Sequence, residues 1–126
     1  ERLWTSAEGA VSPVWASGGG VFLINDVNEL VRLDANNGQS VWRVNLPNVI
    51  ERRFGSFQEL HANYGPILAG GRLIVASSDG LVRQFDPTSG ALIGTLELPS
   101  GAASNPVVAG GTLYVVNKDG QLVAFR

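Results

Sequence analysis

The chain has 126 residues, 44% hydrophobic and 16% charged, enough to bury one core and too apolar for a disordered segment. A net charge of −2, with no basic cluster beyond Arg52-Arg53, disfavours a nucleic-acid binder. No apolar run approaches the ~20 residues that span a bilayer, and with no cysteine there is no disulfide, thiolate nucleophile or Cys-type metal site.

In chain order, Arg2–Ser6 (RLWTS) reads as one short strand. Residues 13–47, PVWASGGGVFLINDVNELVRLDANNGQSVWRVNLP, break into short runs rich in Val, Ile, Leu and aromatics, separated by turn residues, the pattern of β-strands. Gly18-Gly19-Gly20 is a strand-joining turn, since neither the Lys-Ser/Thr nor the helix of a phosphate loop follows it. Asn25-Asp26-Val27-Asn28 is a polar turn without glycine, which fits either a contact surface or a plain hairpin loop. Residues 34–38 read D-x-x-x-G, a longer turn in which Asp bonds nearby N–H groups and Gly takes the left-handed position.

The stretch NVIERRFGSFQELHAN (48–63) interrupts this pattern. No segment shows a helical period over ten residues; only 48–62 has room for a helical turn, through Phe54, Phe57 and Leu60 at i, i+3 and i+6. Strands are then expected at 65–69, 72–78, 81–86 and 91–98, with Asp79-Gly80 as a two-residue hairpin and Asp86–Gly90 as a second D-x-x-x-G turn. Residues 104–126 hold three further strands, with Asp119-Gly120 as their hairpin.

These segments are copies of one unit. Pro66–Gly71 (PILAGG) recurs forty residues on as Pro106–Gly111 (PVVAGG), and LDANNG (33–38) matches FDPTSG (85–90) at an offset of fifty-two. A ~40-residue unit of four antiparallel strands is the signature of a propeller blade more than of a sandwich or barrel, because blades must repeat their turns. The expected fold is all-β, a partial β-propeller of about three blades. Residues 1–6 form the last strand of a preceding blade, 11–47 a blade, 48–63 an inserted loop, 64–99 a blade and 104–126 a final three-stranded blade. A start at Glu1 without any methionine predicts that an N-terminal part precedes it, and any signal peptide with it. The stop at Arg126 predicts a natural end whose blade is completed by a strand from elsewhere, with Arg2–Ser6 as a clasp from the same or a neighbouring molecule.

Residues 19–42, GGVFLINDVNELVRLDANNGQSVW, carry the fullest copy: apolar strand, turn, x-L-x-x-L-D, three residues, Gly, then Trp four residues later. This resembles the pyrroloquinoline-quinone-like (PQQ-like) repeat, which implies that Trp42 docks its blade against the next. Trp4, in LWT, has the same implied role, and Trp15 is assigned to blade packing because aromatics bury the largest areas. Gly94 stands where the second copy should have its Trp. The family includes quinoprotein dehydrogenases, which bind the quinone and Ca²⁺, and non-enzymatic propellers such as the lipoprotein B subunit of the outer-membrane β-barrel assembly machinery. The tail PVVAGGTLYVVNKDGQLVAFR (106–126) looks like the end of the latter. The resemblance therefore implies a protein-interaction scaffold without cofactor, partnered by the assembly machinery on the periplasmic side of the bacterial outer membrane. A fragment of a PQQ-dependent dehydrogenase and a ligand-binding propeller are the alternatives.

The residues themselves offer no catalytic or metal constellation. Asp34, Asp79, Asp86 and Asp119, with Gly38, Gly80, Gly90 and Gly120, are explained by turns. His61 is the only histidine and has neither a Cys nor a Gly-x-Ser-x-Gly partner, which makes it a loop residue. The candidate partner contacts are Asn25, Asp26, Asn28, Arg52, Arg53, Phe54, Phe57 and His61. Arg and aromatics favour interfaces, although a surface loop with tucked phenylalanines fits the 48–63 stretch equally well. Three blades also leave apolar flanks, which predicts self-association.

Overall fold

The structure, a computed structural model, describes residues 1–10, 13–47, 49–51 and 58–126. Strands β1 (Trp15–Ser17), β2 (Gly20–Ile24), β3 (Glu29–Asp34) and β4 (Ser40–Asn45) form one antiparallel sheet in sequence order. β5 (Val49–Glu51) and β6 (Gln58–Leu60) pair as a separate hairpin. A second four-stranded sheet holds β7 (Asn63–Ala69), β8 (Arg72–Ser77), β9 (Leu81–Phe85) and β10 (Leu92–Glu97). β11 (Val107–Ala109), β12 (Thr112–Val116) and β13 (Leu122–Phe125) make a third sheet of three strands. The protein is all-β and has the architecture of a partial propeller.

Side chains alternate across each strand, and here both faces of the central strands are buried. Phe22, Ile24 and Leu30 of the first sheet pack with Leu73, Val75 and Phe85 of the second. The opposite face of the second sheet presents Ile74, Ala76 and Val82 to Leu113 and Val115 of the third. Leu23, Val31 and Leu33, on the other face of the first sheet, are covered by Trp4. This two-sided burial explains why β2 and β8 read as continuous apolar runs rather than alternating ones. Each fully buried Leu, Ile or Val contributes roughly 1.5–3 kcal/mol.

The structure corrects three local expectations. Residues 1–9 form no strand; Ala10 makes a single bridge to Asn25, and Trp4 lies on the first sheet rather than beside β13, so Arg2–Ser6 is no clasp here. An extended segment is held as a strand only by a neighbour's ladder bonds, and among the described residues no strand pairs with this one. Within the inserted stretch 48–63, expected as a loop, Val49–Glu51 pairs with Gln58–Leu60, Val49 opposite Leu60, so Leu60 lies in a strand. β-Branched Val49 and Ile50 are restricted in a helix and suit a strand. Arg52, Arg53, Phe54 and Phe57 lie outside the described residues. The turns at Asp79-Gly80 and Asp119-Gly120 have three residues, not two: 78–80 lie between Ser77 and Leu81, and 118–120 between Asn117 and Gln121.

Candidate functional site

Strand direction places the turns 26–28, 78–80 and 118–120 at the same end of their sheets as the β4–β7 and β10–β11 connections. Of the candidate contact residues, Asn25, Asp26, Asn28 and His61 therefore share one end of the molecule. In the first turn, Asn25 is 2% exposed, and its Oδ1 accepts the Val27 and Glu29 N–H groups at 3.2 and 2.8 Å. Its Nδ2 donates to Glu8 and Glu29 carboxylate oxygens at 3.1 and 2.9 Å. Asn25 is thus a turn organiser and not a contact residue, because its polar atoms are consumed within the fold. Arg43 closes the cluster, bonding Glu8 at 2.6 Å and Glu29 at 3.0 Å. The Asn25 amide, then Arg43, holds the Glu8 carboxyl below its ordinary value. Asp26 is exposed at the tip.

Asn28 sits at φ 57°, where Gly80 and Gly120 have φ 98° and 78° in the equivalent turns. Asn is the side chain that best tolerates this left-handed region, so the turn without glycine needs no partner to explain it. Asn28 Oδ1 accepts Asn63 Nδ2 at 3.2 Å, which ties this turn to the start of the second sheet beside His61.

The second and third sheets solve the same turn differently. Asn117, 1% exposed, repeats Asn25: its Oδ1 accepts the Asp119 and Gln121 N–H groups, and its Nδ2 reaches Pro99 O at 3.0 Å. Asn117, rather than Asp119, organises that turn; the Asp119 carboxylate accepts the Ser100 hydroxyl. In the second sheet the equivalent residue is Ser77, too short for that reach. Its hydroxyl donates to Asn63 Oδ1 at 2.5 Å, and Asn63 Nδ2 reaches Pro47 O at 2.8 Å. Asn63 thus takes over the equivalent of the carbonyl that Asn117 reaches in the third sheet, and Asp79 Oδ1 accepts the Leu81 N–H of the turn at 3.1 Å.

Beside Ser77, Arg83 Nη2 lies 2.6 Å from Asp79 Oδ2, with both side chains 13% exposed, and Nη1 bonds Ser77 Oγ at 3.1 Å. Burial pushes the Asp79 carboxyl up, but the Arg83 bonds and charge, the Leu81 N–H and the nearby His61 together hold it below its ordinary value. His61 is 9% exposed, and its Nδ1 lies 3.5 Å from Ser78 Oγ. That hydroxyl accepts the Ala62 N–H at 2.8 Å, and 3.5 Å exceeds the reach of a base activating a nucleophile. The buried His61 therefore packs a strand entry and presents little surface.

The remaining turn aspartates accept their own turn's N–H groups, Asp34 from Asn36 and Asp86 from Thr88, each at 2.8 Å. PQQ with Ca²⁺ would need carboxylate and amide oxygens that converge, and these aspartates are spread over separate turns. Among the described residues no three His, Cys, Asp or Glu side chains come together to hold a metal. The described residues do not fit that group.

The two Trp junctions follow one rule. Trp4 Nε1 donates to Ala35 O at 2.8 Å and its ring covers Gly38; Trp42 Nε1 donates to Pro87 O at 3.0 Å and its ring covers Gly90. A Cβ on Gly90 would lie 2.7 Å from the Trp42 ring, so a side chain there displaces the indole. Arg32 also donates to Pro87 O and stacks over Phe22, which in turn meets Trp42 with ring centroids 6.2 Å apart. Trp15 is 39% exposed and lines a cleft of about 200 Å³ with Pro13, Val14, Pro66 and Ile67, between β1 and β7 of the neighbouring sheet.

The Arg83–Asp79 pair, Asn63 and Asn117 were not singled out from sequence. Arg83 had a signal, since repeat alignment sets it opposite buried Val31 of the first copy. Asn63 had none, because its partner Ser77 belongs to another strand.

Comparison with known proteins completes the picture. No curated protein matches the chain. Among solved structures, BamB from Moraxella catarrhalis superposes with a TM-score of 0.69 at 24% identity, over 98% of this chain and 39% of that one. Quinohemoprotein alcohol dehydrogenase from Comamonas testosteroni gives 0.57 at 16% identity, over 81% of this chain and 20% of that one. The chain thus spans well under half of either protein, and both likenesses show the propeller fold alone. The model of one PQQ-repeat family matches residues 1–44 and 28–126, which together are the whole chain, and on that match the chain belongs to the family described as outer membrane protein assembly factor BamB.

Proposed function

We propose that this chain is part of a non-enzymatic propeller scaffold in outer-membrane β-barrel assembly, working at the periplasmic side of the membrane. The observation that carries the reading is the family match over the whole chain. The geometry agrees with it: the polar residues at the turn end are spent on holding turns and strand entries, which suits a rigid platform better than a reaction centre. What that end offers a partner is the exposed tip Asp26-Val27, with Val27 63% exposed, and the β5–β6 hairpin beside it. Turn and hairpin presentation, with strand edges open to pairing, is a recurrent way to hold β-rich partners.

The test is co-purification of the tagged full-length protein with assembly-machinery subunits from detergent-solubilised outer membranes. Retention of those subunits, and reduced barrel-protein levels on deletion of the gene, are expected. Absence of both effects overturns the reading. Quinone absorbance in the purified protein would overturn it in favour of a dehydrogenase.

A further inference from the structure

The internal repeat permits a comparison between the two sheet-to-sheet junctions. At the first, the Trp42 indole is seated among Phe22, Arg32 and Val44 of its own sheet and the Gly90 turn of the next. β-Ladder register transfers these positions to the second sheet: Phe22 to Ile74, Arg32 to Gln84, Trp42 to Gly94 and Val44 to Leu96. On the facing wall, Leu73 and Phe85 become Leu113 and Phe125 of the third sheet. At the second junction Ile74, Gln84, Leu96, Leu113 and Phe125 line a cleft of about 430 Å³, with Arg72 and Arg126 at its rim, and a Cβ on Gly94 would face the lining residues Gln84 and Arg72. The cleft is the space that an indole fills one junction earlier, left open because residue 94 is glycine.

Its chemistry is also distinctive. Arg72 and Arg126 are both exposed, and none of the described residues lining the cleft is acidic. Arg72 spends one guanidinium nitrogen on Gln84 Oε1 at 2.8 Å and keeps other donors for a ligand. We infer that this cleft is a socket for an aromatic side chain of a partner protein segment, next to a carboxylate that pairs with Arg72 and Arg126. The internal copy specifies the ring, and the rim charge specifies the flanking acid. The assignment deepens the scaffold reading and rests on it for the occupant being a protein segment.

Gly94 is not in the positive-φ region, and a Cβ there meets its nearest neighbours, Gln84 and Arg72, at 3.7–3.9 Å, ordinary contact distances. Gly94→Trp can therefore fill the socket from within. The probe is indole-3-propionate, followed by methyl NMR of the protein, with neutral indole-3-propionamide as control. Saturable shifts at Ile74, Leu96 and Leu113 are expected. Arg72→Ala and Arg126→Ala each weaken the acid about three- to five-fold, the scale of one exposed ion pair, without weakening the amide. Gly94→Trp abolishes both. Absence of saturable shifts, shifts centred on Trp15, or equal binding of acid and amide overturns the inference. Should Gly94→Trp fail to fold, the two arginine variants still decide it. Co-purification of the assembly machinery that survives Gly94→Trp also overturns it while leaving the scaffold reading intact. Absence of co-purification with the unsubstituted protein strikes the scaffold reading and with it the protein segment as occupant, while the NMR result decides separately whether the cleft takes an aromatic acid.

Discussion

At Asp79 the balance of burial and charge can be followed atom by atom. Its carboxylate is largely removed from water yet held below its ordinary pKa by Arg83, which means the ionised form is the one the fold stabilises. A carboxyl lowered in the folded state contributes stability above its unfolded pKa of about 4 and loses it as the pH falls through the folded value. Glu8 is lowered too, by Asn25 and Arg43, and adds to the same acid limb. Asp79→Asn leaves the Arg83 guanidinium without its counter-charge and is expected to cost about 2 kcal/mol at neutral pH, the scale of breaking a mostly buried pair. It should also flatten the loss of stability below pH ~4, where Asp79 itself takes up a proton. Urea melts of both proteins at pH 7 and pH 3 test this: an equal cost at the two pH values would mean that the pair does not form.

Among elements, the recurring device is a Trp, Trp4 ahead of the first sheet and Trp42 on β4, whose N–H bonds a carbonyl of a D-x-x-x-G turn and whose ring covers the glycine there. This couples β4 to the turn before β10 across a sheet boundary. Gly90→Ala is expected to cost about 2–3 kcal/mol, from the positive φ of 77° together with the clash on the indole. Once Trp42 is Ala, the clash is gone and only the backbone strain remains. The two substitutions should then fall short of additivity by about 1 kcal/mol or more, whereas additive costs in a double-mutant cycle would refute the coupling. Much of this was legible in the sequence. The repeat of D-x-x-x-G and Trp needed only residue types and offsets, and it led to the sheets, the turns and the place of Trp42. What escaped depends on cross-strand partners. Ser77 acts through Asn63 and Arg83 through Asp79, pairings that exist only once the register is set. The strand pair within the inserted stretch also escaped, because Val49-Ile50 and Leu60 are paired across an interval in which the sequence shows no alternation. Asn28 misled because its missing glycine suggested selection for contact, when Asn itself satisfies the left-handed turn.

For the whole molecule, the governing fact is that the sheets are apolar on both faces, so a sheet with one uncovered face carries an apolar surface. On the first sheet, Trp4 covers Leu23, Val31 and Leu33. On the third, Leu113, Val115 and Phe125 turn toward the second sheet, which leaves the opposite face with Val107, Tyr114, Val116 and Leu122. Val107 and Leu122 are 59% and 66% exposed, and among the described residues nothing covers them. An apolar face of this kind, beside the outer strand β13, favours association over the monomer. We expect the 126-residue chain to scatter light at micromolar concentration with a mass above its 13.3 kDa. Leu122→Glu places a charge in the middle of that face while sparing the buried side, and should shift the population toward monomer with little loss of thermal stability. A monodisperse monomer before any substitution would show that the face is tolerated in water, and Leu122→Glu would then leave the mass unchanged.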